Sequence, residues 1–236
     1  MNFAPSITNA RIAELVSTGR ISGSTIPSAN LERIKALWEI LEPIQHESGF
    51  EPKTRANLLR YQIATILNQN DVRMIEFNVP DEHIESPFVT EIILETFRVG
   101  SEDVHYHRID LHPFKCSDAA TRDRLRQVFR RFVWATEICV HGSFLEWSDL
   151  IAGSRCHNLY IREEQFSIDS LNGLVQIIQS NQHTVNITIN SDDLKVPFES
   201  SESLVDSILA NSNSLKVFLS HLSCSLTLHS TFGSGN

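Results

Sequence analysis

The chain has 236 residues, 41% of them hydrophobic and 21% charged, and carries a formal net charge of −9. That length holds one large domain or two small ones, and the balance is that of an ordinary globular protein. The negative excess argues against broad nonspecific binding to nucleic acid or anionic membrane, because both need a positive surface.

The first 29 residues read as loosely structured. They open without a charged region followed by an apolar one, so no secretory signal is expected. Ser, Thr, Gly and Pro cluster from Ser17 to Asn30, a composition that buries little apolar surface. Asn30 is placed to cap a helix over 30–42, where Leu31, Ile34, Leu37, Trp38 and Leu41 recur at helical spacing and Pro43 supplies a stop. This apolar helix is itself a candidate partner surface. A boundary is expected at Pro52, followed by a helix carrying Leu58, Leu59, Ile63, Ile66 and Leu67.

An alternating array begins at Arg73. Ile75, Phe77 and Val79 share one face of a strand, with Met74, Glu76 and Asn78 on the other. Ser86 and Pro87 open the next helix. The second strand runs from His105 to Pro113 with Ile109 and Leu111 inward. Ser117 or Asp118 opens a helix reaching Phe132. Strands are then expected around Ile138, Leu159, Ile187 and Val217, with Ser223–Ser230 as a rival for the last paired strand. Aligning on Ile75, Ile109, Ile138, Leu159, Ile187 and Val217 gives spacings of 34, 29, 21, 28 and 30 residues. Those bracket the unit length of leucine-rich and related repeats, although an ordinary βαβ sheet gives a similar alternation.

The expected architecture is therefore α/β, a short leucine-rich-repeat-like solenoid of alternating strands and helices with a helical N-terminal cap. Residues 1–52 form a flexible segment holding the 30–42 helix, residues 53–230 the repeat-like domain, and residues 231–236 a disordered tail. Cys116, Cys139, Cys156 and Cys224 are widely spaced and do not resemble a disulfide framework, which suits a reducing, intracellular compartment, cytoplasmic or nuclear. No run approaches the length of a membrane span.

If the strands line up in one parallel sheet, their outward positions form columns across an uncovered face. Met74, Arg108, Glu137, Asn158, Asn186 and Lys216 form one column. Glu76, Asp110, Cys139, Tyr160, Thr188 and Phe218 form the next, and Asn78, His112, His141, Arg162, Asn190 and Ser220 the third. Mixed charge, an aromatic ring and several amides suit a protein partner better than a cofactor. The candidate partner-binding residues are Glu76, Arg108, Asp110, His112, Glu137, His141, Asn158, Tyr160, Arg162, Thr188 and Asn190. The bland alternative is the solvated face of a sheet.

Arg122, Arg124, Arg126, Arg130 and Arg131 make one strongly basic helix, with Leu125, Val128, Phe129 and Phe132 as its apolar stripe. A solvated helix face explains it, and an acidic partner or RNA would also suit it. His105 and His107 share a strand face, but no second paired motif completes a metal site. Ser143 reads as a helix cap with Glu146 closing a capping box, and no GxSxG elbow surrounds it. Glu146 and Asp149 read as solvated charges. No cofactor, metal or catalytic group is expected.

The run from His141 to Ile178 resembles the C-terminal substrate-recruiting domain of nematode F-box proteins, through Ser143, Leu145, Trp147, Asp149, Leu150, Leu171 and Asn172. The resemblance covers some 80 to 100 residues and implies a leucine-rich-repeat-like fold that recruits a substrate or partner. The first 60 residues carry no recognisable F-box. The reading is thus a non-catalytic protein-recognition module, an adaptor. An α/β enzyme with a dispersed site and an RNA-associated adaptor using the helix 122–131 are the alternatives.

Overall fold

A computed structural model of the chain describes residues 2–4, 7–68, 71–100, 102, 104–181, 183–184, 186–194, 216–221 and 224–229. The start of the chain is more ordered than its composition suggests. After strand β1 (Asn2–Ala4), helix α1 spans Asn9–Thr18, with the Thr8 hydroxyl accepting from the Arg11 N–H and Gly19 ending it at φ 67°. A hairpin of β2 (Arg20–Ile21) and β3 (Ser24–Thr25) follows, turning through Ser22 and Gly23, both at positive φ. That is the turn whose twist suits a two-residue hairpin.

Helix α2 (Ser28–Ile44) starts two residues before the expected cap at Asn30 and carries Pro43 in its last turn. Helix α3 (Phe50–Asn68) begins before Pro52, so the expected boundary falls inside a helix. Ile12, Leu15, Ile34, Trp38, Leu41, Leu59, Ile63 and Ile66 close one apolar core among these three helices. Trp38 is buried there, which removes it as a free docking ridge. From its other side α3 gives Leu58 and Tyr61 to the main core. It is a wall shared by both cores, so residues 1–52 are not a detached flexible segment.

Among the described residues, eight strands form one sheet in the order β1, β4 (Asp71–Phe77), β5 (His105–Leu111), β6 (Trp134–His141), β7 (Arg155–Phe166), β8 (Asn186–Leu194), β9 (Lys216–His221) and β10 (Cys224–His229). From β4 to β9 every pairing is parallel, while β1 and β10 close the two ends antiparallel. Both segments competing to be the last strand are therefore paired. The strand order follows the chain without a reversal, unlike a doubly wound sheet with its switch point. Ile75, Ile109, Ile138, Leu159, Ile187 and Val217 stand directly opposite one another across the six parallel strands.

Helices α4 (Pro87–Gly100), α5 (Ala119–Phe132), α6 (Phe144–Ile151) and α7 (Ile168–Ser180) connect successive strands, and from α3 to α7 each packs against the next. Their apolar stripes join the inward strand residues in one core, where each fully buried Ile, Leu or Phe contributes roughly 1.5–3 kcal/mol. The inward positions have a spacing of three and then two: Tyr106, Ile109, Leu111; Ala135, Ile138, Val140; Cys156, Leu159, Ile161. Between the first and second of each triplet lie two partly or fully exposed residues, such as His107 and Arg108. The ladder thus turns its face at the start of each strand, where a simple alternation would place Tyr106 outward. The opposite side of the sheet has no helix packed on it among the described residues.

Two local expectations are corrected. Ser143 precedes α6 but makes no capping hydrogen bond with its side chain. Glu163 on β7 takes that place: its Oε1 accepts from the Phe144 N–H at 3.4 Å and its Oε2 from the Ser170 hydroxyl at 3.0 Å. One carboxylate therefore serves the positive ends of α6 and α7. The tail 231–236 lies outside the described residues.

Candidate functional site

The open face of the sheet is built by the register. Met74, Arg108, Glu137, Asn158, Asn186 and Lys216 pair in sequence across six strands, as do Glu76, Asp110, Cys139, Tyr160, Thr188 and Phe218. His141, Arg162, Asn190 and Ser220 continue the third row, with Asn78 and His112 just past their strand ends. Every candidate binding residue from Glu76 to Asn190 belongs to one of these three rows.

Their environments differ. The Arg108 guanidinium grips Asp110 two residues on, with Nε to Oδ2 at 2.8 Å and Nη2 to Oδ1 at 2.9 Å, and its Nη1 lies 3.9 Å from Glu137. His141 Nε2 stands 3.1 Å from Asp110 Oδ1, where a ring N–H donates to the carboxylate. Burial pushes the Asp110 carboxyl up, but Arg108 and His141 outweigh it and hold its pKa below the ordinary value. Asp110 is thus a buried anchor for Arg108 and His141, not itself a contact residue. The bonds to Asp110 in turn raise the Arg108 pKa, keeping that side chain cationic.

The His112 ring stacks on His141 at a centroid distance of 4.6 Å and an interplanar angle of 15°, with Glu76 Oε1 3.5 Å from His112 Nε2. Asn186 Nδ2 donates to Asn158 Oδ1 at 2.8 Å, continuing the polar row toward β8. Tyr160, Arg162 and Asn190 are exposed, and Thr188 is half-buried beside them. Arg162 has no ion-pair partner among the described residues. The freely presented groups therefore gather on β7 and β8.

Because Cys139 is small, a depression of about 350 Å³ lies over it, bordered by Arg108, Glu137, His141, Tyr160, Arg162 and Thr188. Burial pushes the Cys139 thiol up to about 12, partly opposed by Arg108, so it is a neutral floor and no thiolate nucleophile. A second depression of about 610 Å³ continues past the end of β6, where β7 extends beyond its neighbour and adds Glu164 and Gln165. The candidate row on β7 ends at Arg162 in the sequence, because the four consecutive polar residues Arg162 to Gln165 carry no alternation that marks the strand as continuing to the buried Phe166. Ser143 borders this depression, but its hydroxyl forms no hydrogen bond with His141 among the described residues.

Arg124, Arg126, Arg130 and Arg131 leave the basic helix with a solvent-exposed face, as expected, but most of its guanidinium groups are paired with carboxylates. Arg122 bonds Asp149 through Nε at 3.2 Å and through Nη2, and Nη2 also reaches the Glu146 carbonyl. Arg126 Nε meets Asp149 Oδ2 at 2.7 Å and its Nη1 meets Asp123. Arg124 pairs with Glu91 at 3.1 Å, and Arg131 pairs with Glu102. Four of the five arginines thus clamp α5 to its surroundings, and Asp149 and Glu146 are their partners rather than free surface charges. Arg130 has no ion-pair partner among the described residues, and its Cα and Cβ lie beside Gly153.

His105 and His107 do lie together, with ring centroids 5.8 Å apart, but His105 Nε2 meets the Thr136 hydroxyl at 3.1 Å and its ring packs on Trp134. No cluster of three or more His, Cys, Asp or Glu side chains with metal-binding geometry occurs among the described residues. Among them, too, no helix is long and apolar enough to cross a membrane. Compared with known proteins, the chain matches no protein-family model, no curated protein and no solved structure.

Proposed function

We propose that the chain is a non-catalytic protein-recognition module, a short leucine-rich-repeat-like solenoid that offers its open sheet face to a polypeptide partner. The observation that carries this is the uncovered face itself, where Tyr160, Arg162, Thr188 and Asn190 stand free on a rigid parallel ladder. Sheet faces of this kind bind because each unit contributes a few side chains to one continuous patch. The spacing of three and then two at the inward positions is the L-x-x-L-x-L pattern of leucine-rich repeats, with Tyr106, Ala135 and Cys156 at its first position. It supports the repeat reading more strongly than unit length does.

An adaptor role inside the cell, recruiting a substrate or partner, follows from the resemblance of residues 141–178 to the F-box-associated domain. The Arg122–Arg131 helix is a weaker candidate for RNA because carboxylates already occupy most of its guanidinium groups. A dispersed enzyme site is weaker for a different reason: the open-face thiol is protonated and Ser143 is not coupled to the neighbouring His141–Asp110 pair.

The test is capture from native-cell lysate with the wild-type chain and with a Tyr160→Ala, Arg162→Glu double variant, both verified as folded by circular dichroism. Proteins retained by the wild type and lost by the variant support the face as the site. Each is then checked by hydrogen exchange, which should show protection on β7 and β8. Identical recovery by both baits removes the open face from consideration.

A further inference from the structure

We propose a second ligand site at the opposite, N-terminal end of the strands: a groove that binds a phosphomonoester group. It lies where α5, α6 and α7 end and β7 begins, has a volume of about 540 Å³, and is lined by Arg130, Gly153, Arg155, Ser180, Asn181 and His183 together with the adjoining backbone. The volume falls in the range of small-ligand sites. This site goes beyond the recognition face and stands or falls separately from it.

Arg130, Arg155 and His183, from three different segments, line this groove, and among the described residues no carboxylate does. The sequence repeats that segregation. The chain holds 29 Asp and Glu residues, yet none lies between Asp149 and Glu163 or between Asp169 and Asp192. Every other arginine of α5 is held by a carboxylate, whereas neither Arg130, Arg155 nor His183 has an ion-pair partner among the described residues.

Cations at helix C-termini are often explained by the negative end of the helix dipole. Here other groups do that work. The Asn181 amide donates to the Ile151 and Ser154 carbonyls at 3.3 and 2.9 Å, and the Ser180 hydroxyl to the Gln176 carbonyl at 2.5 Å. The Ser154 hydroxyl caps its own helix by donating to the Ile151 carbonyl at 2.8 Å. The guanidinium groups of Arg130 and Arg155 are left for a ligand. Two arginine forks beside an imidazole suit a dianionic phosphate, which accepts several charge-assisted hydrogen bonds at once. The group is carried by a soluble phosphate ester or by a phosphorylated side chain of a protein.

The experiment is calorimetric titration of the full chain at low ionic strength with four probes: glycerol 3-phosphate, a phosphoserine heptapeptide, its unphosphorylated twin and a single-stranded hexanucleotide. Both phosphomonoesters should bind, and the unphosphorylated peptide should not. Arg130→Gln and Arg155→Gln, both at exposed positions, should each weaken binding by about tenfold, while Arg33→Gln at an exposed position of α2 leaves it unchanged. A phosphopeptide that binds more tightly than glycerol 3-phosphate assigns the site to a phosphorylated protein, and equal affinities assign it to a soluble ester. The proposal is overturned if neither monoester binds at millimolar concentration, if binding survives both arginine variants, or if the hexanucleotide binds more tightly than either monoester.

Discussion

The indole N–H of Trp147 donates to the backbone carbonyl of His112 at 3.0 Å, tying α6 to the loop that leaves β5. Trp147 is fully buried, with Phe114 and Phe129 at ring centroid distances of 4.9 and 6.1 Å. It therefore combines a large apolar volume with one polar tie between repeating units. Trp147→Ala should lower stability by about 3–5 kcal/mol, the range for truncating a buried large aromatic. Trp147→Phe keeps most of the packing but leaves the His112 carbonyl without its donor, and should cost about 1–3 kcal/mol. Urea denaturation reads both values, and equal losses for the two variants would show that the hydrogen bond, not the volume, dominates.

Asp149 joins α6 to α5 by accepting from both Arg122 and Arg126. Burial raises its carboxyl pKa, yet the two guanidinium groups outweigh that and the net shift is downward. A carboxyl with a lowered folded-state pKa stabilises the fold above its unfolded value, and that stabilisation is lost as pH falls through the folded value. We expect Asp149→Asn to cost about 1.5–3 kcal/mol at neutral pH, because Arg122, with only 12% of its side chain exposed, loses its principal partner. The gap between variant and wild type should close in acid, below the ordinary carboxylate value of about 4. A gap of constant size from pH 7 to pH 2 would exclude the ion pair as its cause.

The strand register was legible in the sequence because six β-branched or leucine residues, Ile75 to Val217, each sit near the centre of a strand-like segment. Aligning those centres is enough to place Arg108 opposite Glu137 and Tyr160 opposite Thr188. Tyr106, Ala135 and Cys156 were not recognised as inward, since a period-two reading puts them outward. Pairs of consecutive polar residues, such as Thr136 and Glu137, were the signal that the face turns there. Asp149 reads as a solvated charge and Glu163 as nothing in particular for another reason. Their partners lie 27 residues away on α5 and 19 residues away at the start of α6, distances no local pattern spans. The order of α1 was hidden because its apolar face, Ile12 and Leu15, is buried in a core built largely from residues of α2 and α3.

His112 should make stability depend on pH in a separate window. Its pKa is lowered by burial and by the stacked His141, against the opposing pull of Glu76 and Asp110. For a base with a lowered folded-state pKa the neutral form belongs to the fold. Its contribution is complete above the unfolded value of about 6.5 and declines as pH drops below that. Stability measured by thermal or urea unfolding should thus fall between pH 7 and pH 5, by no more than about 1.4 kcal/mol per pH unit from this group. His112→Gln should flatten that decline while leaving the acid limb from Asp149 in place. An unchanged slope in the variant would assign the decline to another group.

Gly173 lies inside α7, where alanine would ordinarily be the better helix residue by about 1 kcal/mol. Its position against α6 reverses that preference. A Cβ at Gly173 would come within 3.0 Å of Ser148 Cβ, 3.1 Å of Ser148 Oγ and 3.5 Å of Phe144 Cε1. Ser148 and Phe144 are both buried, and a serine Cβ is fixed to its backbone, so no flexible side-chain end can move aside. The two helices must separate by a few tenths of an ångström, an overpacking cost of roughly 1–3 kcal/mol that exceeds the propensity gain. Gly173→Ala should therefore destabilise the chain by about 1 kcal/mol, read by urea denaturation. Ser148→Gly removes the atoms that a new methyl would meet, so the double variant should be less destabilised than the sum of the single changes by at least about 0.5 kcal/mol. If Gly173→Ala instead stabilises the chain by the full helix-propensity value, the close approach of α6 and α7 is not what requires the glycine.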